Sequence, residues 1–248
     1  MYKKSKILAS GDSGIILEVG DGISEEVNRK IRALSYCIER MQLKEIIEII
    51  PTYTTVLVLY NPLETSYKEL AKRLMDIEES IDDIELPPRE VVHIPILYGG
   101  EYGTDLEHVA KHNKLTVEEV IDIHSGTNYL VYMLGFTPGF PYLGGMSERI
   151  STPRLETPRE KITAGSVGIA GNQTGIYPID SPGGWQLIGR TPLNLFDAKR
   201  KPSVLLKAGQ YLKFQPICKE EYEVICKEIK ESKYSIKKTM FKEGEYNV

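Results

Sequence analysis

Cysteine is scarce in this chain: Cys37, Cys218 and Cys226 are the three present, an odd count with no CxxC spacing. That excludes a disulfide framework and points to buried or idle thiols in a reducing cytoplasm. Long apolar runs are missing as well. No stretch reaches about 18 uninterrupted apolar residues, so no membrane span is expected. The opening "MYKKSKILASGDSG" runs from lysines into a polar turn with no apolar core, which is not the pattern of a signal peptide. Positive charge is not in excess: 31 Lys and Arg against 35 Asp and Glu leave a net −4, which argues against general nucleic-acid binding. There is no GxxxxGK[ST] phosphate loop, no GxGxxG after a strand and no GxSxG elbow. These gaps remove the common phosphate-loop, dinucleotide and serine-hydrolase readings. What is there is ordinary in bulk: 248 residues, 41% hydrophobic and 27% charged, describe a chain able to bury one large or two modest cores.

The first ninety residues read as an α+β unit. "GIILEV" is a strand candidate; "SEEVNRKIRALSYCIERM" follows with Ser24 placed to cap a helix and Val27, Ile31, Leu34, Ile38 and Met41 at helical spacing. "IIEIIP" and "YTTVLVLY" are strands, "SYKELAKRLMDIEESI" is an amphipathic helix with Leu70, Leu74 and Ile77 on its stripe, and "REVVHIPILY" is a further strand that leads toward the second domain. This order resembles a split βαβ unit. The acidic, proline-ended segment Ser80–Glu90 is the expected hinge. Two short helices follow between Asp105 and Ser125, with Thr104 or Asp105, and Thr116, as caps. Then the composition shifts. Residues 135–192 hold 11 of the 21 glycines and 7 of the 14 prolines but only 9 charges. The β-like runs "YLVYML", "SVGIAG", "TGIYPI", "WQLIGR", "SVLLKA" and "YLKFQP" recur between turn signals, a pattern of a closed β-barrel rather than a parallel α/β sheet. Expected domains are 1–90, 91–217 and a helical extension 218–248.

Within that region "GFTPGFPYLGG" packs two prolines, four glycines and three aromatic rings into eleven residues, Phe140 and Tyr142 among them. Helix and central strand reject this composition. His108 and His112 stand four apart on a helix with no third ligand evident, so a solvated face is the reading and no metal site is expected. His124 ends the second helix, either serving the helix dipole or moving a proton. Two Thr-Pro-Arg triplets present Arg154 and Arg159, suited to carboxylate or phosphate, or to pairing with Glu156 and Glu160. Gln173, Thr174 and Tyr177 offer neutral donors and acceptors beside a glycine-rich strand pair. "SPGGW" is a turn that presents Trp185, the sole tryptophan, ahead of Arg190.

Together "GFTPGFPYLGG", the paired Thr-Pro-Arg triplets, "AGSVGIAGNQTGIYP" and "SPGGWQLIGRTPLNLFD" resemble the family of KipI and the 5-oxoprolinase B subunits, from about Gly11 to Pro216. The family is similar in turn to the first subunit of allophanate hydrolase and to part of the carboxyltransferase region of urea carboxylase. Thr163 and Thr104 stand where the family usually has proline. The resemblance implies an N-terminal α+β domain and a cyclophilin-like β-barrel, with the aromatic loop as one wall of its mouth. It implies a cytoplasmic component of an ATP-dependent 5-oxoprolinase, inactive alone, its site completed by the A and C subunits of that enzyme. ATP with Mg2+ would bind only in that complex. In that site His124, Arg159 and Tyr177 are the expected catalytic residues, and Arg154, Gln173, Thr174, Arg190, Phe140 and Tyr142 the expected substrate contacts. The family's other implied roles are a module that inhibits a sporulation histidine kinase and a part of an enzyme acting on urea-derived substrates.

Overall fold

The computed structural model describes residues 1–81 and 84–241; Asp82 and Asp83 of the expected hinge, and the last seven residues, lie outside the described residues. Contacts gather into two units, Met1–Pro87 and Pro88–Val248.

The first unit runs β1 (Lys6–Ser10), β2 (Gly14–Glu18), α1 (Glu25–Met41), β3 (Ile46–Pro51), β4 (Thr55–Tyr60) and α2 (Tyr67–Glu79). Its sheet order is β1-β2-β4-β3, every neighbouring pair antiparallel. β2 and β3 are therefore parallel with β4 inserted between them, which is the expected split βαβ arrangement. The strand after α2 does not close this sheet. β1, unread in the sequence, takes the edge beside β2 instead. Both helices lay their apolar stripes on the sheet, burying Val27, Ile31, Leu34 and Ile38 of α1 and Leu70, Leu74 and Ile77 of α2. Met41, expected on the α1 stripe, is exposed at the helix end. Ser24 caps α1 by accepting from the Val27 N–H at 3.2 Å, and Ser66 forms a capping box with Glu69 on α2.

The second unit continues with β5 (Glu90–Tyr98), α3 (Leu106–Asn113), α4 (Val117–Gly126), β6 (Asn128–Leu134), β7 (Pro141–Gly144), β8 (Arg159–Ile162), β9 (Ser166–Ala170), β10 (Gln173–Ile176), β11 (Ser181–Gly183), β12 (Gln186–Arg190), β13 (Tyr211–Pro216), α5 (Lys219–Lys230) and β14 (Lys238–Met240). The main sheet runs β10-β9-β12-β5-β13-β6-β7. Its two ends, β10 and β7, lie against each other. The sheet thus curls into a nearly closed, barrel-like form, consistent with a cyclophilin-like barrel. Inside sit Val92, Ile94, Ile96, Val167, Ile169, Ile188, Leu212 and Phe214, all essentially without solvent contact. β8 and β11 form a separate two-stranded ribbon beside the barrel.

Three segments depart from the sequence reading. "SVLLKA" makes no strand of the sheet; Val204 bridges Phe196 and the segment folds back on its own loop. The aromatic stretch does contain a strand, β7, which opens on Pro141 at the end of the sheet path, where a missing donor is tolerated. After α5 the chain returns as β14, antiparallel to the start of β5, where Lys238 pairs with Val92.

Candidate functional site

The turn between β6 and β7 is the aromatic stretch itself. Gly135 N–H reaches the Phe140 carbonyl at 3.2 Å and Phe140 N–H reaches the Thr137 carbonyl at 3.0 Å, which closes a tight, rigid loop. Phe136 sits at its tip with φ of +63°, a left-handed conformation that strains a bulky side chain, and the residue is 87% exposed.

Below that tip lies a cavity of about 280 Å³. Phe140 is its centre: Tyr142, Tyr177 and Trp185 stand around it edge-on, with ring centroids 5.4, 6.2 and 5.9 Å away. Such T-shaped contacts place ring edges against ring faces and fix the walls relative to one another. Glycine makes room for this packing. A Cβ on Gly175 would lie 3.1 Å from the Trp185 ring and 3.4 Å from Phe140, and one on Gly183 would collide with the Tyr177 hydroxyl. Burial raises the pKa of Tyr177, against the pull of the Trp185 backbone and the charges of Arg154 and Arg159. The phenol is therefore neutral near pH 7 and keeps its proton to donate.

Arg154 and Gln173 complete the lining at the exposed rim. Leu155 N–H donates to the Gly184 carbonyl at 2.7 Å, and the Gln186 amide donates to the Pro153 carbonyl at 2.9 Å. These two bonds bracket Arg154 and hold its backbone alongside Trp185. Its guanidinium makes no hydrogen bond or ion pair with any described residue. A cation beside an aromatic box is suited to a small ring that carries one carboxylate.

Of the nine residues singled out in the sequence, five meet here: Arg154, Gln173, Phe140, Tyr142 and Tyr177. The other four do not. His124 is wholly buried under the barrel, stacked on Phe214 at 4.3 Å. Its Nε2 contacts the Thr174 hydroxyl at 2.8 Å, and that hydroxyl donates onward to the Gly168 carbonyl at 3.1 Å. Thr174 has one proton to give, so Nε2–H is the donor and Nδ1 accepts from Tyr98 Oη at 2.7 Å. Both imidazole nitrogens are thus engaged inside the core, burial holds the pKa down at about 3, and neither His124 nor Thr174 reaches the cavity. Arg159 is committed to Asp105: its Nη2 donates to both carboxylate oxygens at 2.7 and 2.8 Å, and its Nη1 donates to the Trp185 carbonyl at 3.2 Å. Arg190, at the far end of β12 from Trp185, lies over the Tyr102 ring at 5.3 Å. His108 and His112 share an exposed helix face.

Two further contributors stand outside the expected site residues. Trp185, presented by the "SPGGW" turn, lines the cavity. Asp105 occupies the N-cap position of α3 but makes no side-chain cap bond there; its partners lie 54 and 82 residues away, a distance no local pattern reports.

The chain matches the family described as carboxyltransferase domain, subdomain C and D, over residues 5–206. It is 47% identical over 236 residues to the 5-oxoprolinase B subunit of Bacillus subtilis (strain 168), covering 90% of this chain and 97% of that one. It is 37% identical over 214 residues to the 5-oxoprolinase B subunit of Escherichia coli O157:H7, with 86% and 97% covered. The crystal structure of the Kluyveromyces lactis urea carboxylase superposes with a TM-score of 0.71 at 22% identity, over 97% of this chain and 25% of that chain; at that identity the likeness is one of fold. The chain therefore belongs to the carboxyltransferase-domain family of subdomains C and D, alongside the proteins named as 5-oxoprolinase B subunits.

Proposed function

We propose that this chain is the B subunit of an ATP-dependent 5-oxoprolinase, which opens 5-oxo-L-proline to L-glutamate, and that the aromatic cavity receives the lactam. The observation that carries the reading is Arg154, which pairs with no described residue and is set beside an aromatic box in a chain 47% identical to a protein of that name. The five-membered ring packs between Phe140, Tyr142 and Trp185. Its carboxylate pairs with Arg154, and Gln173 completes the polar rim. Tyr177, neutral and donating, serves the lactam oxygen, where negative charge grows as the ring opens.

ATP supplies the activation of a poor electrophile, the amide carbonyl. This cavity is not built to hold it. A triphosphate with Mg2+ calls for several cations and an acid cluster. The cavity offers one unpaired guanidinium, and no group of three or more metal-binding side chains occurs among the described residues. Nucleotide and Mg2+ are therefore assigned to the partner A and C subunits, and the reacting site is shared with them. The isolated chain should show negligible 5-oxoproline-dependent phosphate release, and adding the A and C subunits should restore it. Robust turnover by this chain alone would overturn the shared-site reading.

A second reading, a module that binds a histidine kinase, draws on the exposed Phe136 at the cavity mouth. Competition separates the two: a kinase fragment that binds without displacing 5-oxoproline would detach that role from the cavity.

A further inference from the structure

Asp105 and Arg159 sit behind the cavity wall, not in it. Asp105 grips β12 through both backbone and side chain: its backbone N–H donates to the Leu187 carbonyl at 2.8 Å, and its carboxylate accepts from the Leu187 N–H at 2.6 Å. The same carboxylate holds Arg159, whose other nitrogen reaches back to the Trp185 carbonyl. Carboxylate and guanidinium are 13% and 30% exposed, so solvent competes little for the pair. The lead-in to β12 is thereby fixed at Trp185 and Leu187, from α3 on one side and β8 on the other. Arg154 is tied to the same segment by the bonds Leu155–Gly184 and Gln186–Pro153. Loosening Trp185 would therefore loosen both the aromatic wall and the rim cation.

We propose that the Asp105–Arg159 pair is a positioning device, which sets Trp185 and through it Arg154 for the substrate. This rests on the reading of the cavity as the 5-oxoproline site. Neither residue touches the ligand. Arg159, expected as a catalytic residue, acts one layer out.

Trp185 is the only tryptophan, so its fluorescence reports the wall directly. Asp105→Asn keeps the volume but leaves Arg159 without its charge partner, and Arg159→Lys keeps the charge but cannot bridge to Trp185 as well. Either variant should raise acrylamide quenching of Trp185 by about twofold. In the assembled complex either should raise the KM for 5-oxoproline roughly tenfold while kcat changes by less than about twofold. The double variant should be no worse than the singles, as expected for one device. Arg154→Ala runs as the control for the cavity itself. If it raises KM while Asp105→Asn and Arg159→Lys do not, the positioning proposal fails and the cavity assignment stands. If it leaves KM unchanged, the cavity assignment fails, and the proposal with it. A lowered melting temperature with no change in quenching or KM would make the pair a plain structural bond and overturn the proposal. Should Asp105→Asn fail to fold, Arg159→Lys carries the same test.

Discussion

At the scale of single residues, Asp105 holds Arg159 through both of its carboxylate oxygens. Arg154 and Arg159 look alike in the sequence, each behind Thr-Pro, and both suit an anion. What separates them is Asp105, far away in the chain, which takes Arg159, while Arg154 pairs with no described residue. His124 shows the same limit. Its place at the end of α4 left a catalytic role open, but the fold buries it under Phe214 with both nitrogens engaged. That burial has a measurable consequence. The folded-state pKa lies at about 3, below the ordinary 6.5, so between those values the unfolded chain binds more protons than the folded one. Stability must therefore fall on acidification through that window, by up to about 1.4 kcal/mol per pH unit from this group. His124→Gln preserves hydrogen-bonding capacity without a titrating ring. Its unfolding free energy in urea should decline less steeply than the wild type's between about pH 6 and pH 4. Equal slopes would remove His124 from the acid response.

At the scale of elements, periodicity carried the helices and the longer strands. α1 and α2 fall where their apolar stripes lie, and β4, β6, β9, β12 and β13 coincide with β-branched or aromatic runs. The misses have physical causes. β1 is five residues with lysine at its head and much of it exposed, so it lacks an apolar alternation to announce it. β7 hides behind proline and glycine because it is a terminal strand, freed from the rules of a central one. The loop before β7 invites a direct test. The left-handed backbone of Phe136 costs on the order of 1–2 kcal/mol, and with the residue 87% exposed little is recovered by burial. Phe136→Gly should raise the unfolding free energy by about 1 kcal/mol, less than the full strain because glycine also loosens the unfolded chain. A fall in stability would mean that its edge contact with Phe140, 6.3 Å between centroids, outweighs the strain.

At the scale of the whole molecule, the barrel and its aromatic mouth follow from the composition shift after residue 135, and the split βαβ unit from the order of elements before residue 80. The site was half legible: the glycine-rich turns and the aromatic loop pointed to the region where the cavity lies, while the division between cavity-facing and wall-supporting residues depends on contacts across the barrel. The cavity supplies apolar space walled by aromatic rings, one guanidinium and one neutral phenol. On the proposed reading that set holds and orients a small cyclic acid, while nucleotide and metal fall to the partner subunits. The measurement that tests this most directly is the 5-oxoproline dependence of phosphate release by the complex assembled with Arg154→Ala. Loss of a charge-assisted bond worth roughly 1.5–3 kcal/mol should raise the KM for 5-oxoproline about ten- to a hundredfold, with Arg154→Lys recovering only part of it. A wild-type KM in a fully assembled Arg154→Ala complex would contradict the account.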